Sequence, residues 1–294
     1  MRKLFVCIAL GLTTLTGNAA SPLWMRDVQI SPDGTEIAFC YKGDIYKVSA
    51  GGGTAIQLTT QPSYECTPIW SPDSKQIAFA SDRNGNFDIF VMPATGGTAQ
   101  RLTTHSSSEL PSAFTPDGKY ILFSASIQDP SQSALFPTTA MTELYKVPVN
   151  GGRTEQVLGT PAEAVCYAPS GEFFLYQDRK GFEDEWRKHH TSSITRDIWL
   201  YDTKTGKHTN LTNHAGEDRN PVLSPDGKSV YLLSERKGSF NVYSFPLDNA
   251  QDLKAVTSFK THPVRFLSMS HGGTLCYAYD GEISVSYTHL TLPT

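Results

Sequence analysis

Ser71-Pro72-Asp73-Ser74-Lys75-Gln76-Ile77-Ala78-Phe79-Ala80-Ser81-Asp82-Arg83-Asn84-Gly85-Asn86-Phe87-Asp88-Ile89-Phe90 reads as one tight turn followed by two strands. Proline presets φ at the first corner, aspartate bonds the backbone ahead of it, and the fourth position needs a positive φ. Ile77 and Phe79 then alternate with small residues, the pattern of a strand with one deeply buried face. After a polar break, an acid, an aliphatic and an aromatic (Asp88-Ile89-Phe90) open the second strand.

The unit recurs. Turn anchors stand at Ser31–Gly34, Ser71–Ser74, Thr115–Gly118, Ala168–Gly171 and Ser224–Gly227, with a degenerate sixth at Met269–Gly272. Successive starts lie 40, 44, 53, 56 and 45 residues apart. Equivalent triplets are Asp44-Ile45-Tyr46, Glu143-Leu144-Tyr145, Asp197-Ile198-Trp199 and Asn241-Val242-Tyr243. A short strand such as Gln57-Leu58-Thr59 or Arg101-Leu102-Thr103 follows, and a last strand leads into the next turn. Four strands at this period predict an all-β, six-bladed β-propeller of four-stranded antiparallel blades, the sixth cut after its second or third strand. A blade cannot bury both of its own faces, so neighbours must stack in a ring.

Composition agrees with a packed fold and narrows the partners. The 294 residues are 39% hydrophobic and 11% aromatic, and the net charge is −4, so no basic field exists to draw in nucleic acid. Arg2 and Lys3 precede an apolar run, Leu4–Leu12, and small residues ending at Ala20, which predicts a signal peptide over residues 1–20 and export, with a periplasmic destination. That run is too short for a bilayer-spanning helix, and no membrane span is expected after signal removal. The propeller then occupies residues 21–283. Residues 284–294 are expected to be non-native: Val285–Thr294 resembles sequencing-adapter read-through, and Ser284 stands where an aromatic should follow Glu282-Ile283. On that reading the chain is a fragment of something longer.

The repeat resembles the WD40-like repeat of the periplasmic translocation protein TolB and of tricorn-type serine proteases. Glu183-Asp184-Glu185-Trp186-Arg187-Lys188-His189-His190-Thr191-Ser192-Ser193-Ile194-Thr195-Arg196-Asp197-Ile198-Trp199, an insertion in the fourth repeat, is similar to one in the first, six-bladed propeller of the tricorn type. The resemblance covers roughly Leu23 to Ile283 and implies an amino-terminal, non-catalytic propeller that gates or docks peptides. The protease domain and the other carboxy-terminal domains of the same polypeptide would lie beyond this chain. The alternative is a TolB-like periplasmic propeller scaffolding protein–protein contacts. TolB-type proteins carry an α/β domain before the propeller, whereas here the first blade follows within a few residues of the expected cleavage site.

Candidate chemistry is sparse. No G-x-S-x-G elbow is present, so no catalytic residue is assigned and no peptide hydrolysis is expected of this chain. No cofactor is expected. Adjacent His189 and His190 on a strand would point to opposite faces, a poor metal pair, so no metal is assigned. Within the insertion Arg187, Lys188 and His190 are expected to be exposed and to bind peptide, because cationic or titratable groups suit peptide carboxylates. Arg196 and Asp197 should tie the insertion to its blade. Arg83 with Asp88, and Arg236 with Asn241, are expected to pair within blades and fix hairpin register. Ala125–Thr139 reads as an exposed hairpin loop whose Leu135 and Phe136 are open to a partner or to packing back. Cys40, Cys66, Cys166 and Cys276 fall in strands with no C-x-x-C spacing and read as buried free thiols.

Overall fold

The computed structural model describes residues 24–127, 141–182, 184, 186–187 and 192–287. Leu135 and Phe136 lie outside them. The described residues form six antiparallel sheets, five of four strands and one of three, with every sheet built from consecutive strands. Blade 1 runs outward from the axis as Arg26–Ile30, Glu36–Tyr41, Asp44–Ser49 and Ile56–Gln57. The innermost strands of blades 2 to 6 are Glu65–Trp70, Glu109–Phe114, Ala162–Tyr167, Asp218–Leu223 and Arg265–Met269. This is the expected six-bladed propeller, and no helix occurs among the described residues.

Each anchor folds as its residues demand. The Ser31 hydroxyl donates to Asp33 Oδ1 at 2.6 Å, Asp33 Oδ1 accepts from Thr35 N–H at 3.0 Å, and Gly34 takes φ = 77°. Hydroxyl-to-aspartate bonds of 2.6–2.7 Å recur at Asp73, Asp117 and Asp226. These bonds hold all four carboxyls below their ordinary value. Ser74 adopts φ = 60° in glycine's place. In blade 6 the turn sits one residue later than the sequence suggests: Ser270, not Met269, caps it by accepting from Thr274 N–H, and Gly273 takes the positive φ.

The strand residues pack as their period predicts. Ile45, Ile89, Leu144, Ile198 and Val242 are fully buried, and aromatic pairs stack across the second and third strands at 5.8–5.9 Å in blades 1 to 3. The third strand of blade 6, Glu282–Tyr287, sets Ser284 opposite Tyr277, so that blade lacks the pair. There is no single core. Each of the six buried apolar clusters spans a seam between neighbouring blades, including Val28, Ile30, Ile37 and Phe39 of blade 1 against Cys276 and Ala278 of blade 6. The ring therefore closes by face packing rather than by strand exchange between first and last blades.

The inner strands carry a second repeated device. All six are bulged, and in five of them the bulge includes a non-glycine residue at φ of 48–59°: Asp27, Thr67, Ala164, Asn220 and Phe266. Such bulges re-aim side chains and free backbone groups from the ladder. Three of the freed N–H groups bond across seams, Thr67 to Asp27 at 3.0 Å, Val165 to Ser112 at 2.7 Å and Asn220 to Gln177 at 2.9 Å; Ile30, just past its bulge, sends its own N–H to Ser268 at 3.1 Å.

Two expected charge pairs are corrected. Arg83 reaches the buried Glu65 at the start of its own inner strand (2.6 Å), while Asp88 faces Arg101 of the outer strand at 2.8 Å. Arg236 likewise pairs with Asp218 at 2.8 Å, and Asn241 accepts from Thr257 and Phe259. The arginine lies on the second strand's exit, so the inner strand's first residues are nearer than the third strand's. The four cysteines among the described residues are free thiols, Cys40 and Cys276 buried and Cys66 and Cys166 partly so. Burial pushes Cys66 and Cys276 up to about 12 and Cys166 to about 11, keeping them protonated and unreactive.

Glu109, buried in blade 3 with Oε2 unbonded, is pushed up to about 7, chiefly by burial and further by the nearby Asp88 carboxylate. Its folded value exceeds its ordinary 4.5, so stability is greatest below 4.5 and declines as pH rises through 7. Glu109→Gln should therefore stabilise the fold at pH 8 by about 1–3 kcal/mol and have little effect at pH 4.5, measured by urea denaturation at both.

Candidate functional site

The insertion in blade 4 lies between that blade's second strand, Phe173–Asp178, and its third, Ile198–Asp202. Its base is tied down. Lys180 Nζ donates to Asp197 Oδ2 at 2.7 Å and to Thr195 O at 2.8 Å, and Asp197 N–H donates to Asp178 Oδ1. Arg196 Nη1 meets Glu217 of blade 5 at 2.8 Å. Asp197 thus ties the insertion to its own blade as the sequence suggests, whereas Arg196 bonds blade 5 and has Glu163 of its own blade only at 3.8 Å.

Beyond its base the insertion leaves its own blade. Asp184 caps a turn by accepting from Trp186 N–H at 2.8 Å. Arg187 then drops into blade 5, where its guanidinium bonds Glu217 at 2.6 Å and Glu235, over the Phe240 ring at 5.3 Å. Arg219 covers the same ring at 4.1 Å. Trp186 goes further: it packs edge-on against Phe266 of blade 6 at 5.9 Å, with Arg26 of blade 1 at 4.4 Å and Arg265 of blade 6 at 5.1 Å from its ring. Arg265 also donates to the Trp186 and Arg187 carbonyls at 3.0 and 3.1 Å. A segment rooted in blade 4 with contacts on blades 5, 6 and 1 is a chord across one channel mouth.

Charge at that mouth is segregated. Five residues before each turn anchor, the inner strands carry Arg26, Cys66, Leu110, Glu163, Arg219 and Arg265 in blades 1 to 6. Three arginines thus fall on the consecutive blades 5, 6 and 1, the side the chord covers. Burial pushes the Glu217 carboxyl up, but Arg219, Arg196 and Arg187 outweigh it and leave the group below its ordinary value. Burial disfavours the Arg187 cation as well, yet the bonds from Glu235 and Glu217 hold it well above the usual guanidinium range. Both stay charged at any working pH.

Beside Trp186 is a cavity of about 530 Å³ lined by Trp24, Met25, Arg26, Pro263, Arg265 and Phe266 among others. Trp24 is exposed and Trp186 is 47% exposed, so the cavity presents aromatic faces flanked by guanidinium groups. The opposite mouth is different in kind: Pro32, Pro72, Pro116, Pro169 and Pro225 of the turn anchors rim an opening of about 440 Å³.

Of the residues expected to contact peptide, Arg187 is not exposed; at 4% exposure it is an internal ion-pair partner. Lys188 and His190, like His189, lie outside the described residues. Trp186, Arg26, Arg265 and Phe266 were not singled out as site residues, although the recurrence of arginine five residues before the anchors is visible in the sequence. Among the described residues no group of three or more His, Cys, Asp or Glu could hold a metal ion, and no helix is long and apolar enough to cross a membrane.

Comparison with known proteins places this geometry. The profile of the tricorn protease N-terminal β-propeller domain matches residues 22–289. The chain belongs to that family. Its fold is similar to the crystal structure of the tricorn protease at a TM-score of 0.70 and 22% identity, over 93% of this chain and 27% of that one. It is also similar to a TolB-type protein of Agrobacterium tumefaciens, at 0.68 and 19% identity over 92% of both chains. The uncharacterized peptidase YuxL of Bacillus subtilis (strain 168) is 32% identical over 72 residues, 24% of this chain and 10% of that protein. The chain thus spans about a tenth of that curated relative.

Cutting the Arg187 anchor takes the guanidinium away from Glu235 and leaves Glu217 to Arg196 and Arg219. Arg187→Ala should cost about 3–5 kcal/mol of unfolding free energy and open the insertion to limited proteolysis between residues 179 and 197. Unchanged stability and cleavage would show that the chord is not held there.

Proposed function

We propose that this propeller is a non-catalytic module that docks or gates peptides at its chord-covered mouth, within an exported, periplasmic tricorn-like serine protease whose catalytic domain lies outside this chain. The observation that carries the reading is the insertion laid across the channel, with Trp186 set among Arg26, Arg265 and Phe266. Guanidinium groups beside aromatic rings suit a peptide's terminal carboxylate and an apolar side chain next to it. On this reading Arg187 fixes the chord, and Lys188 and His190, next in sequence, supply charge to the peptide. Membership of the tricorn N-terminal propeller family supports it, as does the signal-like start of the chain.

The test is fluorescence anisotropy with labelled peptides of four to ten residues, carrying either a free or an amidated carboxy terminus. Free-carboxylate peptides should bind the purified chain, and Lys188→Ala with His190→Ala should weaken them about tenfold, the loss of one charged contact. Equal binding of both peptide classes by wild type and variant would contradict the assignment. Peptide cleavage by the chain alone, abolished by a serine-directed inhibitor, would refute the non-catalytic half. Capture of a folded protein but no peptide would favour the TolB-like scaffold instead.

A further inference from the structure

Next to the cavity beside Trp186 lies a smaller one of about 300 Å³, lined by Trp24, Arg26, Cys40, Tyr41, Lys42 and Tyr64. The two share Trp24 and Arg26, so whatever occupies one borders the other. The larger cavity is mixed in charge: besides Arg26 and Arg265 its wall holds Asp280, which faces His262 Nε2 at 3.1 Å. The smaller has two cations in its wall and, among the described residues, no acid.

Local structure fixes where these cations stand. Lys42-Gly43 is the two-residue turn between the second and third strands of blade 1, with φ of 54° and 90°. Gly43 O accepts from Glu65 N–H of blade 2 at 2.7 Å, and a Cβ on Gly43 would stand 3.2 Å from the Tyr64 ring. The turn is therefore packed against the start of blade 2, while Lys42 is exposed, its Nζ 5.3 Å from the centre of the Tyr41 ring. Arg26 comes from the inner strand, with its guanidinium over Trp186. Neither cation has an ion pair among the described residues. Asp27 uses its carboxyl on Thr67 N–H and the Cys40 thiol, and Asp82 accepts from Tyr64 N–H at 2.7 Å. Blade 6 gives the contrast. Its matching turn, Asp280-Gly281, has φ of 54° and 82°, and there an acid stands in the place of Lys42 and is met by His262. Residues 1–23, which lead into Trp24, contain no Asp or Glu. Partial burial pushes the Tyr64 phenol up and keeps its hydroxyl a donor. Cations and a hydroxyl beside aromatic rings suit a carboxylate carried on a short apolar stem.

We propose that this smaller cavity is a subsite for an acidic side chain, so that the peptides docked at this mouth are those with Asp or Glu within three residues of a free carboxy terminus. The inference rests on the peptide-docking reading above and adds a specificity to it. The terminal carboxylate and its apolar side chain take the cavity beside Trp186, and the acidic side chain enters the adjoining one and bonds Lys42, with Arg26 between the two. Extended residues advance about 3.3 Å each, so cavities with a common wall are served by residues close in sequence. Lys42 is thus a specificity-determining residue.

The probe is a set of short labelled alanine peptides ending in a free Phe, with Glu, Gln or Lys at each of the three preceding positions. Glu at one of those positions should bind the purified chain about tenfold tighter than Gln, and Lys more weakly than Gln, with the gap narrowing as salt is raised. Lys42→Asp should reverse that order and leave affinity for the Gln peptide unchanged, which also shows the variant to be folded; blade 6 carries aspartate at the same φ. Lys42→Asn, a residue tolerated at positive φ, should erase the Glu preference without reversing it. If peptides bind through their free carboxylate but Glu, Gln and Lys are equivalent, or if the Lys42 variants keep the Glu preference, the subsite is refuted and the docking reading stands. If no peptide binds, both fall. A Glu preference that emerges only in a Glu183→Gln, Glu185→Gln variant would mean that the insertion's own acids take the cavity, and would overturn the proposal too.

Discussion

Every blade has two apolar faces and can cover neither by itself. The six buried clusters all straddle seams, so burial is gained only when neighbours meet, and the first blade is covered only when the sixth returns to it. Burying one large side chain contributes roughly 1.5–3 kcal/mol, and each seam holds several. This constraint brings the inner strands together around one axis. Their bulges then turn backbone N–H groups sideways to the preceding blade, so hydrogen bonds of the channel wall follow the same seams as the apolar packing.

Ring closure also explains why the two mouths differ. The turn-anchor mouth is five copies of one proline turn and a degenerate sixth built on Ser270 and His271. At the other mouth the connections between second and third strands vary widely in length, from two residues in blade 1 to nineteen in blade 4. Blade 4 carries there a segment that reaches over blades 5, 6 and 1 and is held by an ion-pair cluster where acids and guanidiniums sit within 2.6–3.8 Å of each other. Buried pairs of this kind add little net stability but are costly to break, which suits a segment that must keep one position. The asymmetry it imposes, arginines on one side of the mouth and Leu110 and Glu163 on the other, gives an otherwise repetitive ring one distinguishable site.

The fold was legible because its determinants are local. Ser31–Gly34 and its counterparts specify their own turns, and the aliphatic of each triplet is buried whatever surrounds it, so six anchors and their alternating strands were enough. Side-chain partners across the fold were not. Arg83 and Asp88 are five residues apart and look like a pair. The hairpin instead points them at Glu65 on the inner strand, 18 residues before Arg83, and at Arg101 on the outer, 13 residues after Asp88. Arg187 reads as exposed because it sits in a polar run, and only the ring brings Glu217 and Glu235, 30 and 48 residues away, under it. Arg26, Arg219 and Arg265 were readable in principle, by aligning the residues before the anchors rather than those after them.

Native-state hydrogen exchange measures closure directly, because each cross-seam N–H reports on one seam. In a closed ring, Ile30 N–H at the seam between blades 6 and 1 should exchange within about tenfold of Val165 and Asn220 N–H at the 3–4 and 4–5 seams. Exchange of Ile30 faster by orders of magnitude, with Val165 and Asn220 still protected, would mean that the ring is open between its first and last blades and that the chord does not span a closed mouth.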